Sequence, residues 1–183
     1  MSRSLLPSSP LPRFTLLAVG LYLLWVVGYE HYLAPDGRLD AALTQNLAQV
    51  SAGLLRGLGF AVTASPTPVP ILSLGPQPLL SVWHPCNGLV LYALFGGFVL
   101  AFPGPARTKL WFIPLGIFLI YSLNILRVVG LTLNAHYAQH TVDFNHHYTF
   151  TFLVYTGIFG LWMWWATRLA QPAPSPASAY ASA

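Results

Sequence analysis

HPCNGLVLYALFGGFVLAF, residues 84–102, is the stretch whose reading decides the fold. Its opening, His84-Pro85-Cys86-Asn87-Gly88, is polar or turn-forming, and the remainder is apolar, aromatic or small and carries no charge. Read as a helix from Pro85, these roughly 18 residues reach about 27 Å, enough to cross a hydrocarbon layer. Proline suits a first helical turn, where its missing N–H costs nothing. Ala93, Gly96 and Gly97 form a small face that a neighbouring helix can approach. The run stops at Pro103-Gly104-Pro105.

The composition agrees with a membrane span. Hydrophobic residues make up 55% and charged residues 7% of the 183, against roughly 25% charged in soluble domains. The net charge of +4 rests on few ionisable groups, and no Lys/Arg cluster exists to neutralise phosphates, so nucleic acid is not an expected partner. Cys86 is the one cysteine. It has no second thiol for a disulfide or for zinc-ligand spacing, and is therefore either inert packing or reactive.

Working outward, residues 1–13 with Arg3 and Arg13 form a cytoplasmic N-terminus, and residues 14–33 a first span. That span is long for a signal-peptide core, and no small-x-small cleavage site comes after it. Residues 34–84 form a cap: an amphipathic helix over 36–60, with Leu39, Leu43, Leu47, Val50, Leu54 and Leu58 near helical spacing, then a proline-rich loop. Five prolines between 62 and 80 exclude a continuous helix and leave extended segments or a hairpin around Leu74-Gly75-Pro76. A second span over 85–102 is followed by a loop over 103–109 and a third span over 110–133, whose helix can run on towards His140. After an external segment over 134–147, a fourth span covers 148–166, its end marked by Trp162, Trp164 and Trp165 as an interfacial belt. The tail over 167–183 is low-complexity and expected to be disordered and cytoplasmic. The expected fold class is all-α integral membrane, multi-pass, with four transmembrane helices and an extracytoplasmic amphipathic helix and proline-rich loop between spans one and two.

Basic residues set the orientation. Arg3, Arg13, Arg107, Lys109 and Arg168 flank the spans on one side, which the positive-inside rule makes cytoplasmic. Cys86 then opens the second span on the outer side, and Arg127, about 26 Å along the third span, reaches the same depth. His146 and His147, ahead of the fourth span, join them there.

Each group has a plain reading and a chemical one. A lone thiol is ordinarily a small buried hydrophobe, but at a helix N-terminus the positive dipole end favours a thiolate. Arg127 can snorkel to headgroups or point into the bundle, where an ionisable group is by default functional. Asn124, three residues earlier, shares its helical face, and a cation there can hold a carbonyl oxygen as it becomes negative. His146 or His147 can take a thiol proton and return it to a leaving amine, with Asp143 or Asn145 near enough in sequence to orient the ring. Asn87 is a supporting candidate beside the thiol. His136 and His140, at i and i+4, lack a third ligand for a metal, and no cofactor or metal is expected. His31 and His84 read as structural. A rival reading is a non-catalytic membrane assembly or a haem- or metal-binding protein in which the histidines hold the group and Cys86 merely packs; Cys86→Ala separates the two.

The runs HPCNGLVLYALFGGFVLAFPGPARTKLWFIPLGIFLIYSLNILRVVGLTLNAHYA and DFNHHYTFTFLVYTGIFGLWMWW resemble the exosortase/archaeosortase family of integral-membrane transpeptidases over residues 84–165. In that family a cysteine followed by a small or polar residue and glycine opens one helix. An arginine shortly after an asparagine lies at the outer end of the next, and a histidine opens a further one. Cys86, Arg127 and His146 match those positions; His146 is preferred over His147 because it comes directly after an amide, Asn145. The resemblance implies secreted protein substrates with a C-terminal sorting signal, attack by Cys86, oxyanion stabilisation by Arg127 and acid–base work by His146. It also implies transfer of the acyl group to a glycan or lipid acceptor at the outer face of the cytoplasmic (inner) membrane. Many members carry around eight spans, so this chain reads as a compact form. Its N-terminal half has no family motif and is expected to cap the site and help select the substrate.

Overall fold

In the computed structural model, residues 10–170 are described; the expectations for the first residues, with Arg3, and for the tail from 171 onward lie outside them. The elements in order are α1 Pro10–Gly28, α2 Arg38–Gly57, β1 Val62–Ala64, β2 Ile71–Leu74, β3 Gln77–Ser81, α3 Leu89–Ala101, α4 Ala106–Tyr137 and α5 Phe150–Trp164. Short turns link them. Two helical stretches, Leu11–Asp36 and Ala106–Tyr137, are long and apolar enough to cross a membrane, while the apolar Leu89–Ala101 is shorter.

The helix after the cap starts later than the sequence suggests. Pro85 lies in a separate 3-10 turn, His84–Cys86, and α3 begins at Leu89. The cause is Gly88, whose φ of 83° breaks the helical path between the two. At its other end α3 is capped by Lys109, whose Nζ donates to the carbonyls of Leu100 and Phe102, both at 2.8 Å. Helix α4 runs to Tyr137, short of His140, because Ala138 leaves the helical region with φ −148°.

The cap corrects the all-α reading. Its proline-rich segment is a three-stranded antiparallel sheet, ordered β1-β2-β3, in which β2 and β3 form a hairpin closed by Gly75 and Pro76. Gly75 takes φ 57°, which a two-residue hairpin turn of this hand requires and which glycine adopts without a Cβ clash. The amphipathic helix exists as α2, but of its leucine stripe only Leu47 is fully buried. Leu47, Ala48, Ala52 and Leu55 pack with the sheet and α4, and Asp40, Thr44 and Ser51 are buried beside them, whereas Leu39, Val50, Leu54 and Leu58 are exposed. Small and polar side chains let the helix approach closely, and the leucines are left for an apolar surrounding.

Two cores result. One joins α2, the sheet and the Val128-Val129 turn of α4; Cys86 packs against it. The other joins α3, α4 and α5 through Phe95, Phe112, Ile120, Val154, Ile158 and Trp165. Trp165, expected in an interfacial belt, is fully buried and stacks on Phe112 with ring centroids 5.1 Å apart. Trp162 stacks on Phe98, and Trp164 alone of the three is exposed. Helix α1 lies against the Ala93/Gly97 face of α3, leaving an apolar cavity of about 190 Å³ lined also by Leu21 and Trp25.

Candidate active site

The thiol is presented by a turn with little freedom. Cys86 N–H donates to the Trp83 carbonyl at 2.9 Å and Asn87 N–H to that of His84 at 3.0 Å, closing the 3-10 turn. The Asn87 Oδ1 accepts the Leu89 N–H at 2.8 Å, so its side chain caps the start of α3. Tyr92 donates its hydroxyl to the Asn87 carbonyl at 3.2 Å. Gly88 is required here twice over. Its φ is positive, and a Cβ at this position would collide with the Asn124 amide and lie 2.9 Å from the Tyr92 hydroxyl.

His146 comes from a wide π turn, Asn145–Thr149, that leads into α5. Such a turn carries one residue more than α-helical winding and is frequent at functional sites. It is held from α4: Asn145 Nδ2 donates to Asn134 Oδ1 at 2.8 Å, and Thr141 Oγ1 to the same oxygen at 3.1 Å. Thr151 Oγ1 then donates to the His146 carbonyl at 2.9 Å.

The structure brings Cys86, Arg127 and His146 together. Cys86 Sγ lies 3.7 Å from His146 Nε2 across 60 residues of sequence. Arg127 Nη2 lies 3.1 Å from the same Nε2. Since a guanidinium only donates, Nε2 is the acceptor, which places the ring proton on Nδ1 and leaves Nε2 free to take another. The pKa of His146 is lowered, first by burial and then by the nearby charges of Arg127 and His147, with Asp143 acting in the opposite sense. The imidazole is thus held neutral near pH 7.

His147 is turned elsewhere. Its Nδ1 faces the Asp143 carbonyl at 2.9 Å and the Asp143 carboxylate at 3.2 Å, on an exposed flank. Asp143 therefore serves His147, and Asn145 ties the turn to Asn134; neither bonds the His146 ring. His136 packs edge-on against Phe60, and His140 sits in a separate 3-10 turn beyond the break at Ala138, so the i, i+4 pairing of one helix does not form.

Two polar groups beside the trio await partners. Asn124 is 1% exposed, with neither its Nδ2 nor its Oδ1 hydrogen-bonded, and Arg127 Nε is likewise buried without one. Among the described residues the indole nitrogens of Trp162 and Trp165 are buried without partners as well, so it is the position beside Cys86 and His146 that singles out the Arg127 guanidinium. The sequence missed the links behind the trio: Asp40 and Tyr29, which hold Asn87, and Asn134, which holds the histidine turn. The one signal for Asp40 was its place in a small and polar stripe with Thr44 and Ser51, alongside the more conspicuous leucines.

No curated protein and no solved structure matches this chain. A family model described as transmembrane exosortase matches residues 9–165. That span takes in the cap and the first helix as well as the three side chains that meet at His146, and the chain belongs to the transmembrane exosortase family.

Proposed function

We propose that this protein is a membrane cysteine transpeptidase that cleaves C-terminal sorting signals of secreted proteins at the outer face of the cytoplasmic membrane, in a four-span bundle. The family carries the coarser part of this reading, a membrane protein with transpeptidase-like chemistry. The finer part rests on the 3.7 Å approach of Cys86 Sγ to a histidine nitrogen that also faces Arg127.

The reaction can be built from those contacts. His146 Nε2 takes the Cys86 proton as the sulfur attacks the scissile carbonyl carbon. Once protonated, Nε2 can no longer accept from Arg127. The guanidinium is released at the moment that a negative oxygen forms, and with Nε already unpaired it turns to that oxygen. Collapse breaks the C–N bond, and the leaving amine takes the proton from Nε2, leaving an acyl thioester on Cys86. An acceptor amine or hydroxyl, on a surface glycan or lipid, then attacks the thioester and gives its proton to Nε2. Departure of the thiolate and its reprotonation by His146 restore the enzyme.

Intact-mass analysis of secreted proteins bearing C-terminal membrane-helix tags, co-expressed with wild type or Cys86→Ala, tests this. Loss of the tag with wild type alone is the expected result, and the mass added to the product identifies transfer or hydrolysis. Equal processing by both proteins would remove Cys86 from the mechanism and favour a cofactor-binding role for the histidines.

A further inference from the structure

The chain has four acidic residues, Glu30, Asp36, Asp40 and Asp143, and of these only Asp40 is buried, at 5% exposure. Burying a carboxylate is costly unless its oxygens are hydrogen-bonded. The two oxygens of Asp40 are divided between two donors from different parts of the chain. Oδ1 accepts from Asn87 Nδ2 at 2.5 Å, and Oδ2 accepts from the Tyr29 hydroxyl at 3.1 Å.

The first bond settles how Asn87 stands. A carboxylate only accepts, so the amide nitrogen must face Asp40 and the amide oxygen must face the Leu89 N–H that it caps. The residue adjoining the thiol is thereby fixed at both ends of its side chain, by α2 on one side and by the first turn of α3 on the other. His146 and Arg127 reach the thiol from other elements, so the 3.7 Å approach depends on this turn keeping its place.

We propose that Asp40 is a positioning residue for the nucleophile: it locks the Asn87 amide, and through it the turn that presents Cys86 to His146. This rests on the reading of Cys86 and His146 as the reacting pair. It also gives the cap, which the family match takes in, a part in the chemistry. Asp40 acts only through Asn87 and touches neither the thiol nor the imidazole.

Because Cys86 is the only thiol, the rate of alkylation of the full chain by iodoacetamide, read by mass, reports on that one sulfur. Wild type, His146→Ala, Asp40→Ala, Asn87→Asp and the exchange Asp40→Asn/Asn87→Asp are compared at pH 7, with melting temperatures from the same samples. Asn87→Asp alone sets two carboxylates against each other. In the exchange, the amide at 40 donates to the carboxylate at 87 and still accepts from Tyr29, so every bond is remade with the charge moved across. The three single variants should slow alkylation by about tenfold, the scale of a misplaced reacting group. The exchange should recover to within about threefold of wild type, with a melting temperature above that of Asn87→Asp because the facing charges are gone.

The outcomes are distinct. If His146→Ala slows the reaction while Asp40→Ala and Asn87→Asp do not, or if the exchange is no faster than Asn87→Asp, the positioning role is overturned and the reacting pair stands. If His146→Ala alkylates as wild type does, the pair itself fails and the proposal falls with it. Should Asp40→Ala not accumulate, Asn87→Asp against the exchange decides the matter alone.

Discussion

The half of the molecule around Cys86 and the half around Trp165 are built differently. Around Trp165 the core is aromatic and stacked, with Phe95, Phe112 and Trp165 all fully buried. Around Cys86 the core is aliphatic and small, with Leu47, Ala48, Ala52 and Leu55 facing Val62, Leu72, Val82 and Val128. Buried Asp40, Thr44, Ser51 and Asn87 are threaded among them. Ring packing is tolerant of small displacements and suffices to hold helices together. A thiol kept within 3.7 Å of one imidazole nitrogen needs directional bonds, and hydrogen bonds appear where direction matters.

Substitutions that remove a reacting group should break the contrast most sharply. His146→Ala is expected to lower tag processing by about a thousandfold, within the range for general acid–base groups, with little change in melting temperature. Arg127→Lys, which keeps the charge but loses the planar fork, should cost about a hundredfold in the same assay.

In the aromatic half the effect should fall on stability instead. Phe112→Ala leaves a void beside Trp165 and Phe95. Lipid tails are as apolar as the core, so the transfer contribution shrinks and the cavity contribution remains, giving about 2 kcal/mol. Processing per folded molecule should be unchanged, and a loss of rate without a loss of folded protein would erase the distinction between the halves. Gly88→Ala falls between the two. It forces a side chain into the left-handed region against Asn124, at a cost of about 1–3 kcal/mol, and should lower both melting temperature and rate.

The smallest effect concerns pH. His146 has a pKa lowered by burial, Arg127 and His147. A folded value below the unfolded one means that the unfolded chain binds the proton more readily. The stability contribution is complete above about pH 6.5 and is lost as pH falls through the lowered value. The acid limb of the processing rate should therefore lie below about pH 6.5. His147→Ala removes one repelling charge and should move that limb upward, changing the plateau rate less than about twofold.

How much the sequence reveals depends on the kind of force involved. Membrane-grade runs are visible because they depend on composition, and two of them form helical stretches long enough to cross a membrane, Leu11–Asp36 and Ala106–Tyr137. The trio could be found because each member is chemically out of place: a lone cysteine, a charge in an apolar run, and paired imidazoles at a helix start. The sheet was only half legible, since five prolines exclude helix but do not say how extended segments pair. The buried face of α2 was hidden because leucines usually mark a core, whereas here small and polar Thr44, Ala48 and Ser51 are buried while Leu39, Leu54 and Leu58 are exposed. Asp40 with Asn87 was out of reach: 47 residues separate them, and no local pattern links two polar side chains that meet only after folding.

The π turn at Asn145–Thr149 has a consequence for how the chain tells its two adjacent imidazoles apart. Neighbouring residues on a helix point about 100° apart, so winding, more than chemical identity, decides which ring meets sulfur. The extra residue in the turn acts as a phase setting. Deleting one position there would turn the two rings by about one helical step relative to α5, so that His146 would lose its present direction. The choice between two identical side chains is thus written as a count of residues in the turn.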